Sequence, residues 1–216
     1  MTSERFTTTT PEEREAAIEA ATLAVQRGEL VVIPTDTVYG LGADAFAPEA
    51  VAAVLVAKGR GREMPPPVLV PNPRTVDGLA ANVPAYARDL IQAFWPGPLT
   101  LVLHAQSSLM WDLGETNGTV ALRMPQDPTA LKLLAEVGPM AVTSANVSGQ
   151  PAAKTILEAA AQLGSAVSVY LDAGPSAGAL ASTILDCTGA APVILRAGAV
   201  SAGQIQEVLG DVELGN

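Results

Sequence analysis

The chain of 216 residues has one cysteine, Cys187, and one histidine, His104. A single thiol excludes an internal disulfide, and one thiol with one imidazole leaves no Cys/His cluster for a zinc centre. Basic residues are few. Twelve Lys and Arg stand against 22 Asp and Glu, a formal charge of −10, which opposes a protein whose main task is to grip a nucleic-acid backbone. No apolar run approaches the roughly 18 residues of a membrane-spanning helix, and no basic-then-apolar leader opens the chain. The sequence therefore predicts a cytoplasmic protein without a membrane partner, in which the Asn146-Val147-Ser148 sequon has no role. No Walker A pattern occurs. Residues 40–45 fit G-x-G-x-x-A, but polar residues separate the preceding strand from Gly40, and no acidic ribose partner follows. A serine nucleophile at Ser144 or Ser148 would need His104 for a triad and lacks a G-x-S-x-G elbow.

The hydrophobic fraction of 49% is enough for a sizeable core. Thr10-Pro11-Glu12-Glu13 combines an N-cap, a proline at the first helical position and a capping-box glutamate, so a helix is predicted from there to Gly28. Further helices are expected over residues 48–57, 84–94, 128–137, 154–163 and from Ser201 to Leu209. Short β-branched or alternating runs predict strands at 30–33, 68–70, 99–103, 119–123, near 140–144, and at 166–171, 182–186 and 192–196. Strands alternating with helices indicate an α/β fold. Residues 1–10 are expected to be loosely ordered, residues 11–210 to form one domain, and residues 211–216 a tail.

Polar groups gather where these strands end, the usual place for ligands on open α/β sheets. Residues 30–33 run into Pro34, then Thr35, Asp36, Thr37 and Tyr39, with Gly40 and Gly42 letting the backbone either turn tightly or lie close against a neighbour. Lys58-Gly59-Arg60-Gly61-Arg62 sets three cations among glycines after a helix, the pattern of a phosphate site. Arg123 and Arg196 each close a strand, and Ser144 and Asn146 follow another. Trp95 and Cys187 read as core residues and His104 as a surface residue. Asp36 and Asp44 are the carboxylates nearest this region, and either could simply cap a turn.

Taken in order and spacing, IPTDTVYGLGADAF, KGRGREMP, FWPGPLTLVL, VALRMPQDP, VTSANVSGQP, STILD and ILRAGAV resemble the YrdC-like family across about residues 30–200. The resemblance implies a twisted mixed α/β sheet with flanking helices around a large concave cleft, in the single-domain form. It implies that L-threonine, bicarbonate (or CO2) and ATP give L-threonylcarbamoyl-AMP and pyrophosphate, the first step of threonylcarbamoyladenosine formation on tRNA. Mg2+ would arrive with ATP, and a downstream threonylcarbamoyl transferase would be the partner. By matching motif positions, Thr35, Thr37, Tyr39, Arg123 and Ser182 would hold L-threonine. Lys58, Arg60, Arg62, Thr119, Ser144, Asn146 and Arg196 would hold ATP, with Lys58 and Arg60 catalytic. The chain departs from the family pattern at Gly61, Met64, Leu69, Asp127 and Ala152, where proline, asparagine, histidine, histidine and serine are common. The reading from a different class is an RNA-binding or ribosome-associated module built on residues 58–62, and the acidic charge opposes it.

Overall fold

The computed structural model describes residues 3–176, 178 and 180–215. Glu4–Thr7, expected to be loosely held, form strand β1, which runs parallel to β8 (Val169–Asp172). Its polar pattern is that of an exposed edge strand, which alternation alone does not reveal. Helix α1 (Pro11–Gln26) starts in the predicted capping box: Thr10 Oγ1 accepts Glu13 N at 3.2 Å and the Glu13 carboxylate accepts Thr10 N at 3.0 Å. Strand β2 (Val31–Ile33) turns into β3 (Gly40–Asp44), with Ile33 opposite Gly40. Of the two roles open to the glycines of β3, a turn or a close approach, the structure shows the second: they are strand residues, and Val142 of the neighbouring strand fills their missing side-chain space, so that a Cβ would lie 2.6 Å from Val142 Cγ1 at Gly40 and 2.8 Å from Cγ2 at Gly42.

Helix α2 (Pro48–Lys58) ends at Gly59, whose φ of 62° closes the last turn left-handed. Then come β4 (Val68–Leu69), the short α3 (Val76–Leu79), α4 (Ala85–Phe94), β5 (Leu99–His104) and β6 (Thr119–Arg123). Helix α5 (Pro128–Val137), β7 (Met140–Ser144) and α6 (Ile156–Leu163) precede β8, and β9 (Thr183–Asp186), β10 (Val193–Arg196) and α7 (Ala202–Leu209) follow it. Asp127, one of the departures from the family pattern, caps α5 through Thr129 N and Ala130 N, both at 2.9 Å.

All ten strands form one mixed sheet, ordered β1-β8-β2-β3-β7-β4-β6-β5-β9-β10. Its two halves are covered differently. Around β8, β2, β3 and β7, α1 and α5 pack on Val31, Ile33, Met140, Val142 and Leu171 of one face. Helices α2 and α6 pack on Val32, Leu41, Ala43 and Tyr170 of the other. In the second half, α4 and α7 cover Leu99, Leu101, Leu103, Val120, Leu122 and Leu185. Because side chains alternate along a strand, Thr100, Val102 and His104 of β5 and Thr119, Ala121 and Arg123 of β6 share the opposite face. None of these six belongs to an apolar cluster among the described residues, and His104 is exposed. That open face, rimmed by loops, holds the polar residues. Cys187 and Trp95 are buried, at 1% and 7% exposure.

Candidate active site

The β2–β3 connection, residues 34–39, is held by its own hydroxyls. Thr35 Oγ1 donates to Val38 O at 2.6 Å and accepts Thr37 N at 3.2 Å. The Thr35 and Thr37 hydroxyls are 3.0 Å apart, and since Thr35 has already given its proton, Thr37 is the donor. Thr37 Oγ1 also accepts Arg123 Nη1 at 3.0 Å, so it keeps one lone pair for a ligand.

Arg123 sits at the seam of the two halves, opposite Leu69 in the ladder and 6% exposed. Its Nε donates to Gly97 O at 3.0 Å, and its Nη2 lies 2.7 Å from Asp36 Oδ1, which also accepts Gln126 N at 2.8 Å. Burial pulls the guanidinium pKa down, and Asp36 opposes that. Neither Arg123 Nη2 nor Asp36 Oδ2 has a well-aligned hydrogen-bond partner, although both atoms are buried. The Trp95-Pro96-Gly97-Pro98 segment thus aims the arginine through one carbonyl. Gly97 N donates back to Met124 O at 2.9 Å, and a side chain at Gly97 would collide with Phe94 O.

A strap crosses above this loop. Tyr39 OH donates to Gly174 O at 2.5 Å and accepts Ala173 N at 3.1 Å, and Ser176 Oγ donates to Thr37 O at 2.6 Å. Gly178 rests on Thr37 so closely that any Cβ would strike its backbone. Behind the loop lies a small cavity of about 80 Å³ lined by Thr35, Tyr39, Asp127 and Ser176.

Lys58, the last residue of α2, is fully buried. Its three N–H groups are all engaged: Nζ donates to Ser144 O at 2.6 Å, Ser144 Oγ at 3.2 Å and Asn146 Oδ1 at 2.9 Å. Burial, with Arg60 nearby, lowers its pKa to about 8. Lys58 therefore joins Ser144 and Asn146 into one unit that fixes the exit of β7. Arg60 turns toward Thr143, whose Oγ1 lies 3.4 Å from Nη1, and its buried Nε has no partner. Arg62 points outward to Asp112 at 2.8 Å.

Across the open face, Arg196 Nη2 donates to Ser182 O at 2.8 Å and Ser182 Oγ at 3.0 Å. Ser182 Oγ also lies 2.9 Å from Thr100 Oγ1. Burial lowers the Arg196 pKa, and so do Arg123 and Arg60. Among the described residues no carboxylate pairs with Arg60 or Arg196. Three guanidinium groups thus share one field in which, among the described residues, Asp36 is the ion-paired carboxylate and Glu63 acts on Arg60 from further off, which is the electrostatics of an anion site.

Of the residues singled out from sequence, Thr35, Thr37, Tyr39 and Arg123 meet around residues 34–39, and Ser182 joins Arg196. Lys58, Ser144 and Asn146 form the adjoining unit. Thr119 stands apart: it begins β6, four residues and about 13 Å of strand from Arg123, and its Oγ1 donates to Thr116 O at 2.8 Å. Sequence reasoning did not assign Asp36, Gly97, Thr100, Ser176 or Gly178 to the site; only the Asp36 carboxylate carried a signal, as a turn cap. Asp44 does cap a turn, accepting Phe46 N at 2.8 Å. Among the described residues no three His, Cys, Asp or Glu side chains gather as a cation cage.

An α/β sheet whose open face carries clustered, largely unneutralised arginines beside a hydroxyl-lined loop defines a protein that binds an anionic small molecule. Residues 23–198 match the family model described as Sua5_yciO_yrdC, telomere recombination, and the chain belongs to that family. It is 59% identical over 210 residues to a Mycobacterium leprae protein provisionally named a threonylcarbamoyl-AMP synthase, covering 97% of this chain and 96% of that one. A Bacillus subtilis threonylcarbamoyl-AMP synthase is 37% identical over 200 residues, covering 91% of this chain and 58% of that one. The crystal structure of Pyrococcus abyssi Sua5 complexed with L-threonine superimposes with a TM-score of 0.92 at 33% identity, over 98% of this chain. This chain spans 62% of the length of that archaeal protein.

Proposed function

We propose that the chain is an L-threonylcarbamoyl-AMP synthase, a nucleotidyltransferase that forms threonylcarbamoyl-AMP and pyrophosphate from L-threonine, bicarbonate or CO2, and ATP. The observation that carries this reading is the convergence of Arg60, Arg123 and Arg196 beside residues 34–39. Arg123, held by Asp36 and Gly97, offers its guanidinium charge to the amino-acid carboxylate, and Thr37 offers its remaining lone pair to a ligand donor. Arg60 and Arg196, which lack acidic partners, suit the triphosphate. The threonine amine takes up CO2 and loses a proton, giving a carbamate. A carbamate oxygen then attacks the α-phosphorus, and the bond to the bridging oxygen breaks as pyrophosphate leaves.

No protein nucleophile is required. Positioning alone contributes up to about 7–11 kcal/mol to such a step, and fixed cations stabilise the charge that gathers on the phosphates. Among the described residues the carboxylates form no cage for a divalent ion, and Mg2+ would fit this site as the companion of ATP, held by phosphate oxygens and water. Its role would be to neutralise the departing pyrophosphate. A mixed anhydride of this kind must be consumed by an acyl-transfer reaction, which makes a threonylcarbamoyl transferase acting on tRNA adenosine the downstream partner. A cytoplasmic location agrees with that sequence of reactions, and no helix among the described residues is long and apolar enough to cross a membrane. The RNA-module reading is disfavoured, because Lys58 is buried and Arg62 is neutralised by Asp112.

The test is pyrophosphate release from purified protein with ATP, Mg2+, bicarbonate and L-threonine, each omitted in turn, and with serine replacing threonine. Release that needs every component and prefers threonine is the expected outcome. Protein that binds neither ATP nor threonine would end this assignment.

A further inference from the structure

The connection between β5 and β6, residues 105–118, is longer than a hairpin needs, and it is seated on the basic loop. Asp112 Oδ1 accepts Arg62 Nη2 at 2.8 Å and Gly114 N at 3.0 Å. Arg62 O in turn accepts Glu115 N at 2.8 Å. Gly114 has a φ of +107°, and a Cβ there would lie 2.7 Å from Arg62 O, so only glycine lets the two backbones come this close. Beside these contacts the Trp111 ring stacks on Phe46, with centroids 5.4 Å apart and planes at 26°.

Arg60 lies between two glycines, so its own backbone sets its direction poorly. Upstream it is tied by its N–H to Leu55 O at 2.9 Å. Downstream, the short-range tie is the long 3.4 Å bond from Met64 N to Gly61 O. Glu63, whose carboxylate lies over Gly61 and attracts Arg60, is a further restraint on that side, and Arg62 is the one that ties the loop to another segment. Its side chain and its carbonyl are both engaged by residues 105–118, and Asp112 holds its guanidinium pKa up.

We infer that Arg62 is a positioning residue rather than a phosphate ligand: paired with Asp112, it clasps residues 105–118 onto the basic loop and so keeps Arg60 aimed at the nucleotide phosphates. The phosphate half of this inference rests on the function proposed above, and the clasp itself does not.

Trp111 reports the clasp without any substrate. Quenching of its fluorescence by acrylamide is measured against Trp111→Phe, which subtracts the buried Trp95. Arg62→Ala and Asp112→Asn should each expose Trp111 to the same degree. Each should raise the KM for ATP by the same factor, about twofold to fivefold for an exposed ion pair, with kcat and the KM for threonine unchanged. The double variant should be no worse than either single one, and Arg62→Asp with Asp112→Arg should do better in both readouts than Arg62→Asp alone, with full recovery prevented because arginine cannot accept the Gly114 N–H. Gly114→Ala, which forces the backbones apart, should move both further in the same direction.

The inference is overturned if Arg62→Ala raises the KM for ATP well beyond Asp112→Asn, or if the charge swap is the worst of the set, since a phosphate ligand replaced by a carboxylate would repel ATP. It is equally overturned if Arg62→Ala leaves Trp111 unchanged, or if Gly114→Ala frees Trp111 without affecting ATP. Wild-type protein that releases no pyrophosphate would defeat the functional reading alone, and Trp111 quenching would still decide the clasp.

Discussion

The half of the sheet around β8, β2, β3 and β7 is packed on both faces, whereas β6, β5, β9 and β10 are packed by helices on one. Along the first group, apolar side chains point both ways: Val31 and Ile33 toward α1, and Val32 toward α2 and α6. Along β5 and β6 the same alternation sends the leucines and Val120 to one side and Thr100, Val102, Thr119 and Arg123 to the other. One sheet thus separates two tasks. The doubly covered half supplies stability through burial, at roughly 25 cal/mol per Å² of apolar surface, and the singly covered half gives up part of that burial to present polar groups. Arg123 belongs to both, since it is buried against the covered half and aimed at the open face.

That division can be broken most severely at the seam. Arg123→Ala should cost about 3–5 kcal/mol of stability, because it strands the mostly buried Asp36 carboxylate. It should also abolish threonine-dependent pyrophosphate release. Urea unfolding and turnover measured on the same sample test whether both losses occur, and loss of only one would place Arg123 wholly in one half. Next in size is Leu133→Ala in α5, fully buried against the covered half, which should lower stability by about 2–5 kcal/mol while leaving kcat/KM per folded molecule unchanged. The mirror image is Arg196→Ala. It removes a cation that its neighbours already repel, so unfolding should shift little, but kcat/KM for ATP should fall by about one to two decades.

A smaller and pH-dependent effect belongs to Lys58. Its pKa of about 8 lies below the ordinary 10.5, so between those values the unfolded chain holds a proton that the folded chain has released. This group therefore makes stability rise with pH from about 8 to 10.5, and its burial penalty is fully present below 8. Lys58→Met should flatten that part of the urea-unfolding profile, and an unchanged slope would mean that the three acceptors around Nζ fully offset the burial. The smallest change is Ser176→Ala, which removes one neutral hydrogen bond worth about 1 kcal/mol and should raise the KM for threonine more than that for ATP.

Local signals were legible in both halves of the sheet, and what depends on distant segments was not. The proline at the start of α5 and the apolar periodicity behind it locate Pro128–Val137 to the residue, and the alternation of Thr119–Arg123 does the same for β6. Strand β3 was not assigned because Gly40 and Gly42 suit a turn and a close approach alike, and what decides for the close approach, the bulk of Val142, lies about 100 residues away. The cations were visible one by one. Their convergence was not, because it depends on β9 and β10 joining β5 across the sheet. Asp36 and Gly97 escaped for a similar reason: a carboxylate in a turn and a glycine between prolines look local until Arg123 arrives from a third segment. The separate position of Thr119 likewise follows from strand rise and not from motif spacing.

The strand order also has a consequence for how the protein is made. Strand β8 lies between β1 and β2, and β9 pairs with β5, so late residues complete both halves. A nascent chain that has emerged only as far as Asp172 holds Thr37, Arg60 and Arg123 but neither Ser182 nor Arg196, and β5 still presents a bare edge to other chains. The ligand site is thus completed only once β9 and β10 have joined β5. A chain cut between Asp172 and Ser182 would be a sticky, inactive fragment rather than a weakened enzyme.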